Sequence, residues 1–201
     1  SKFEHDVQKL RGSRGIGVIS DYEDQPLLIR SHLGNFAIVT VGVIKNVDQL
    51  VQRAFRRNRL HFSEMRGGEI TPTEVVAALI NQEETYEDGI RNVGESITGS
   101  CSMLLLTDDG VIAARDKKGR TPVIIGKKAG AYAVAMETCA FPNLDLETVR
   151  DLGPGEIVRI TADGVRPLAP ALPKSQIWGF LWVYYGYPAS SYEGINVEAA
   201  R

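Results

Sequence analysis

The sequence predicts an α+β fold in which mostly antiparallel sheets are covered by helices. Two observations lead there. Short β-branched runs lie on both sides of a middle stretch with amphipathic helical spacing, and the later runs are joined by turns too short for parallel crossovers. At 201 residues, with 43% hydrophobic and 24% charged content, the chain is long enough to bury a sizeable core and too apolar to stay disordered.

The opening segment to Leu10 carries helical spacing at Phe3, Val7 and Leu10. From Arg11 to Ser20, glycines interrupt a short apolar run, which reads as a strand whose glycines permit close backbone packing. Pro26 to Ile29 and Asn35 to Ile44 read as buried strands, the second entered through a turn at Gly34 and Asn35. At Asn46 the period changes to 3.6: Val47, Leu50, Val51, Ala54 and Phe55 share one helix face, and Asn46 with Gln49 fits a capping box. Beyond the polar stretch around Gly67 and Gly68, a second helix starts with Thr71 as N-cap, Pro72 in the first turn and Glu74 as reciprocal cap. Its apolar residues are Val75, Val76, Leu79 and Ile80. A third helix spans Glu84 to Ile97, with Tyr86, Ile90, Val93 and Ile97 on its apolar side.

After Gly99 the pattern is mostly β. Strands are expected at Cys101–Leu106, Val111–Arg115, Pro122–Gly126, Ala131–Met136 and Glu156–Thr161. Turn signals separate them at Asp108-Asp109-Gly110, Lys118-Gly119, Ala129-Gly130 and Gly153-Pro154-Gly155. Pro167 to Pro173 reads as an extended connector, and Trp178, Phe180, Trp182, Tyr184, Tyr185 and Tyr187 mark an aromatic tail. There is no internal repeat.

The charge balance argues against two classes of partner. A net charge of −2 sets up no global attraction to nucleic acid or to an anionic membrane, and no apolar run approaches the roughly 18 residues of a membrane span. The expectation is a cytoplasmic protein without nucleic-acid or membrane partners. Arg53, Arg56, Arg57, Arg59 and Arg66 fit a phosphate stripe or, more commonly, the solvated side of an amphipathic helix. The aromatic tail fits base stacking, or core and interface packing. Two cysteines, Cys101 and Cys139, and three histidines show no metal-ligand spacing, so neither metal nor cofactor is expected. Each cysteine sits in an apolar run, where a thiol is ordinarily inert packing rather than a nucleophile. Gly126-Lys127-Lys128 lacks the rest of a phosphate-binding loop, and Gly15-Ile16-Gly17 lacks the third glycine of a dinucleotide motif. Arg115 and Asp116 fall at a hairpin turn, where charge is usually solvent-facing.

Several motifs together resemble a known family. Arg115, Asp116, Gly119, Pro122 and Gly126 fit its Arg-Asp-x-x-Gly-x-x-Pro-Leu-x-x-Gly run, and Met136-Glu137-Thr138 stands in place of Ser-Glu-Ser. Arg150-Asp151 with Pro154-Gly155-Glu156, the tail from Trp182 to Val197, and Gly15-Ile16-Gly17 with Thr40-Val41-Gly42 add to the match. The chain is similar, over nearly its whole length, to the glutaminase domain of amidophosphoribosyltransferase.

That resemblance implies the four-layer αββα sandwich of the N-terminal-nucleophile hydrolases. It also implies glutamine hydrolysis to supply ammonia for purine biosynthesis, with an N-terminal cysteine as nucleophile. Here no Cys precedes position 101, so the chain is expected to begin beyond the family's nucleophile and first strands, and no catalytic residue is assigned. The position of the family's glutamine-carboxylate Arg falls on Ser20, that of the oxyanion Asn on Val41, and that of the amino-group Asp on Pro72. Ser20, Val41, Gly42, Thr73 and Glu74 are therefore the expected remnant of a substrate site, with Gly42 and Glu74 alone keeping family-type residues. Glutamine would be a ligand only with the missing residues supplied. Hydrolysis with Ser1 as nucleophile is the third hypothesis, after a non-catalytic domain and an interaction module. Residues 1–177 form the expected glutaminase-like domain and 178–201 a tail leading toward a phosphoribosyltransferase domain, with self-association expected at an uncovered sheet edge.

Overall fold

A computed structural model describes Lys9 and residues 11–20, 23–56 and 70–201. A six-stranded sheet organises it, in the order β1-β2-β3-β4-β8-β9 with every neighbour antiparallel. These strands are β1 Leu27–Ser31, β2 Gly34–Ile44, β3 Gly99–Thr107, β4 Gly110–Ala114, β8 Ile157–Thr161 and β9 Gly164–Ala169. A second sheet has the order β6-β5-β7, from β5 Ile124–Lys128, β6 Ala131–Ala135 and β7 Glu147–Asp151.

Alternation along the strands builds the layers. Phe36 and Ile38 on β2, Cys101, Met103 and Leu105 on β3, and Ile112 and Ala114 on β4 point to one face of the large sheet. There they pack against α2 (Pro72–Ile80) and α3 (Tyr86–Ser96), with Leu50 of α1 (Val47–Arg56) closing the cluster. The other face carries Ala113, Val158 and Ile160, which meet Val123, just ahead of β5, and Ile125 on it. The outer face of the small sheet is covered by the tail: Ile124, Phe141 and Leu146 bury against Leu181, Tyr192 and Val197. The result is helices, sheet, sheet and a fourth layer of short helical turns, with a π-helical turn at Leu181–Tyr185, a two-stranded hairpin of β10 Ser191–Tyr192 and β11 Ile195–Asn196, and α4 Val197–Ala200.

Local chemistry sets the middle of the chain. Thr71 accepts from the Glu74 amide while the Glu74 carboxylate accepts from the Thr71 amide at 2.7 Å, so the capping box forms as expected and α2 starts at Pro72. Thr85 caps α3, placing its start two residues after Glu84. Asn46 does not cap α1 in the way its spacing suggests. Its side chain donates to Ser96 O and accepts from Thr98 N, tying the end of β2 to the end of α3.

Four further expectations change. Residues 11–20 form no strand, Ile19 is 99% exposed, and nothing lies within 4 Å of where a Cβ would stand on Gly15 or Gly17, so close packing does not explain those glycines. β7 carries no signal in the sequence, because this exposed edge strand has no alternating apolar face. The extended connector at Pro167 is in its first part β9, where a register shift at Ile157/Val158 accommodates a proline that lacks a donor. Arg115 and Asp116 do not face solvent; they are 3% and 5% exposed. The opening helix to Leu10, the side chains of Ala54, Phe55 and Arg56, the cluster residues Arg57, Arg59 and Arg66, and Ser1 lie outside the described residues.

The turn from β7 to β8 is held by Glu156, whose carboxylate receives Arg150 bidentately at 2.9 and 2.6 Å and the Gly153 amide at 2.7 Å. Burial raises the Glu156 pKa, but the hydrogen bonds from Arg150 and Gly153, with the guanidinium charge, outweigh it and leave the value lowered. A carboxylate lowered in the folded state adds stability above its unfolded pKa and loses it as pH falls through the folded value. Glu156→Gln is therefore expected to flatten the acid limb of a stability-versus-pH curve below about pH 4.3, read by urea unfolding at stepped pH. An acid limb unchanged from the parent protein would refute the assignment.

Candidate functional site

Among the described residues, three cavities adjoin the large sheet. One of about 430 Å³ is apolar and lies between the sheets, with Val39, Leu104, Val123 and Met136 in its wall. Another, of about 320 Å³, sits under α3 beside Arg115 and Asp116. Those two residues are committed to the fold. Arg115 donates to Leu152 O and Gly119 O, each at 2.6 Å, and to Glu193, while Asp116 accepts from the Lys118 and Thr121 amides.

The third cavity is a cleft of about 790 Å³ at the C-terminal end of β2, where the run from Thr40 to Ile44 meets the N-terminus of α2 and the segment around Ser20. It brings together Ser20, Val41 and Gly42 from the expected remnant, along with Pro72. Thr73 and Glu74 are turned away from it. The Thr73 hydroxyl sits 2.6 Å from the Thr40 hydroxyl, and Glu74 serves the cap.

Gly42 has a reason to be glycine that lies in the fold. Its φ is +150°, and a Cβ there would stand 2.1 Å from the carbonyl oxygen of Ser100 on β3. Glu23, Gln25 and Cys101, which sequence reasoning did not select as site residues, also line the cleft. The Gln25 carboxamide pairs with both backbone groups of Thr40, accepting from its N–H at 2.7 Å and donating to its carbonyl at 3.4 Å. Glu23 accepts from the Thr73 amide at 3.2 Å, at the N-terminus of α2, and its own amide donates to Ser20 Oγ. Cys101 carries a thiol pushed up to about 12, first by burial and then by the charges of Asp116 and Glu23, so it is a protonated wall at neutral pH. Glu23 and Gln25 stand in the sequence only as polar residues ahead of a strand; the meeting of Glu23 with α2, 50 positions away, and of Gln25 with Thr40 depends on the fold.

Elsewhere, the other sequence candidates are structural. Lys128 donates to Leu144 O and Lys127 lies over the Tyr132 ring, so the Gly126 run holds the small sheet together. Cys139 donates to Glu137, which also accepts from Tyr187 N and Ser190 Oγ and so anchors the tail. Among the described residues no three His, Cys, Asp or Glu side chains gather as a metal site, and no helix is long and apolar enough to cross a membrane.

Amidophosphoribosyltransferase of Bacillus subtilis is 31% identical over 98% of the chain, and that of Methanocaldococcus jannaschii is 29% identical over 88%. The chain spans 42% and 41% of the length of these two relatives. The solved glutamine phosphoribosylpyrophosphate amidotransferase of B. subtilis, complexed with ADP and GMP, superposes with a TM-score of 0.74 and 32% identity, over 86% of this chain and 38% of that one. A structure of the allosteric regulatory enzyme of purine biosynthesis gives 0.72 and 32%, over 86% and 37%. These neighbours bear out the N-terminal-nucleophile sandwich with antiparallel sheets. A family model for the glutamine amidotransferase domain matches residues 13–143, close to two-thirds of the sequence, and the chain belongs to that family.

Proposed function

We propose that this chain is an amidophosphoribosyltransferase-type glutaminase domain that does not itself hydrolyse glutamine, and that it works as a binding or structural element beside a phosphoribosyltransferase domain. The observation that carries this reading is the chemistry of the cleft. Ser20, Val41 and Pro72 occupy the positions where the resemblance calls for a carboxylate-binding Arg, an oxyanion Asn and an amine-binding Asp. The thiol in its wall, Cys101, is buried and protonated. Hydrolysis requires a nucleophile, a base and oxyanion donors around one point, and the described lining does not assemble them. Ser20, Val41 and Gly42, positions to which the resemblance assigns ligand recognition, line the cleft. In this reading residues 1–177 are the glutaminase-like unit and residues 178–201 lead toward the second domain.

The test is ammonia release from L-glutamine by the purified protein. No release above a protein-free blank is expected; release abolished by a cysteine-directed glutamine analogue would overturn the proposal. A second reading, a protein-interaction module, is favoured by one feature. Phe180, Val183, Tyr184, Tyr185 and Tyr187 are mostly exposed on the tail, and Trp178 stacks on Phe180 at 5.4 Å. Contiguous apolar surface of that kind marks a contact site, with another domain or a second copy as occupant.

A further inference from the structure

Resting on the proposed reading of the β2 cleft as a ligand cavity that no longer performs hydrolysis, we infer that it takes a small alkylammonium ligand without a carboxylate, with Glu23 as the counter-ion. Three observations converge on Glu23. Its carboxylate lies in the cleft wall and is oriented through one oxygen, Oε2, by the Thr73 amide. The other oxygen, Oε1, accepts no hydrogen bond and meets no Lys, Arg or His among the described residues, so a residue that lines a cavity of about 790 Å³ keeps one acceptor open to a ligand. The remaining polar lining is already engaged: Gln25 with Thr40, Thr71 with Glu74, Ser20 with the Glu23 amide.

Among the described lining, what is left to recognise a ligand is therefore one anionic acceptor and apolar walls. The walls come from Val18, Val41, Val43 and Ile70. A carboxylate half-buried in such a cleft favours a cation that donates to it, because an ion pair with hydrogen bonds restores the solvation it gave up. The same charge disfavours an incoming carboxylate, and the described lining supplies no guanidinium to compensate it. A volume within the range of small-molecule sites accommodates a short alkyl chain behind the ammonium group.

The experiment titrates the full chain with three compounds that share the glutamine carboxamide: 4-aminobutanamide, which has the amine alone; glutaramic acid, which has the carboxylate alone; and L-glutamine, which has both. Calorimetry or ligand-observed NMR reads binding. 4-Aminobutanamide is expected to bind at least about tenfold more tightly than glutaramic acid, and Glu23→Gln to weaken it by about tenfold or more with the melting temperature unchanged. The ligand ranking needs no variant, so a poorly folded Glu23→Gln leaves the test intact. Glutaramic acid binding as well as the amine, amine binding that survives Glu23→Gln in a folded protein, or no binding of the amine would each overturn the inference. Ammonia release from glutamine with the amine preference intact would overturn the hydrolysis reading alone.

Discussion

Gly42→Ala is expected to destabilise the protein by about 3 kcal/mol or more. Two costs combine at this position. A φ of +150° strains any residue with a Cβ. The added methyl would also stand 2.1 Å from Ser100 O and 2.8 Å from the Ser100 carbonyl carbon. β2 and β3 are paired over eight residues there, from Ala37↔Leu106 to Ile44↔Gly99, so neither strand can yield without disturbing the pairing that carries Ile38 and Leu105 into the core. Gly164 is the control: its φ is also +150°, but nothing lies within 4 Å of its Cβ position. Gly164→Ala is expected to cost about 1 kcal/mol, the backbone part alone. Urea unfolding of the two variants separates the effects. Equal losses would show that close approach to Ser100 contributes nothing.

Arg115→Ala is expected to cost about 3–5 kcal/mol, the range found when one partner of a buried charged network is removed. The guanidinium is 1% exposed at its side chain and reaches three separate segments: Gly119 after β4, Leu152 after β7, and Glu193 in the tail. Truncation removes the donors to two carbonyls and leaves the Glu193 carboxylate, one-third exposed, without its cation. Arg115→Lys is not expected to rescue the loss fully, because an ammonium cannot reproduce the planar fork. The tail gives a second readout. Glu193 also accepts from Ser175, so in Arg115→Ala the segment from Ser175 to Glu193 should become more sensitive to limited proteolysis than the rest of the chain. A variant as stable as the parent, with an unchanged cleavage pattern, would refute this role.

Both positions were visible in the sequence as motif residues, and for both the structure supplies a reason the motif could not. Gly42 reads as part of a ligand-site triplet with Thr40 and Val41, and it does border the cleft. Yet its steric neighbour is Ser100, 58 residues further on. Arg115 reads as surface charge at a hairpin; only the convergence of the β4 end, the β7–β8 turn and the tail makes it a buried hub. The aromatic tail divides in the same way. Leu181 is core while Phe180 and Tyr184 are exposed, although all three look alike in an apolar run without clear period.

By itself the sequence determined what depends on neighbours along the chain: the capping box that starts α2, the apolar alternation of β2 and β3, the turns at Gly110, Gly119 and Gly130, and the combination of motifs that places the chain among glutamine amidotransferase domains. Only the tertiary structure decided what depends on residues distant in sequence. It paired β7 with β5 despite an exposed pattern, left residues 11–20 without a strand, and brought the Glu23 carboxylate to the first turn of α2 beside a thiol that burial keeps protonated. The physical reason is range. Propensity, capping and alternation act within a few residues, whereas burial and hydrogen-bond partnership are set by whichever segments the sheet order brings together.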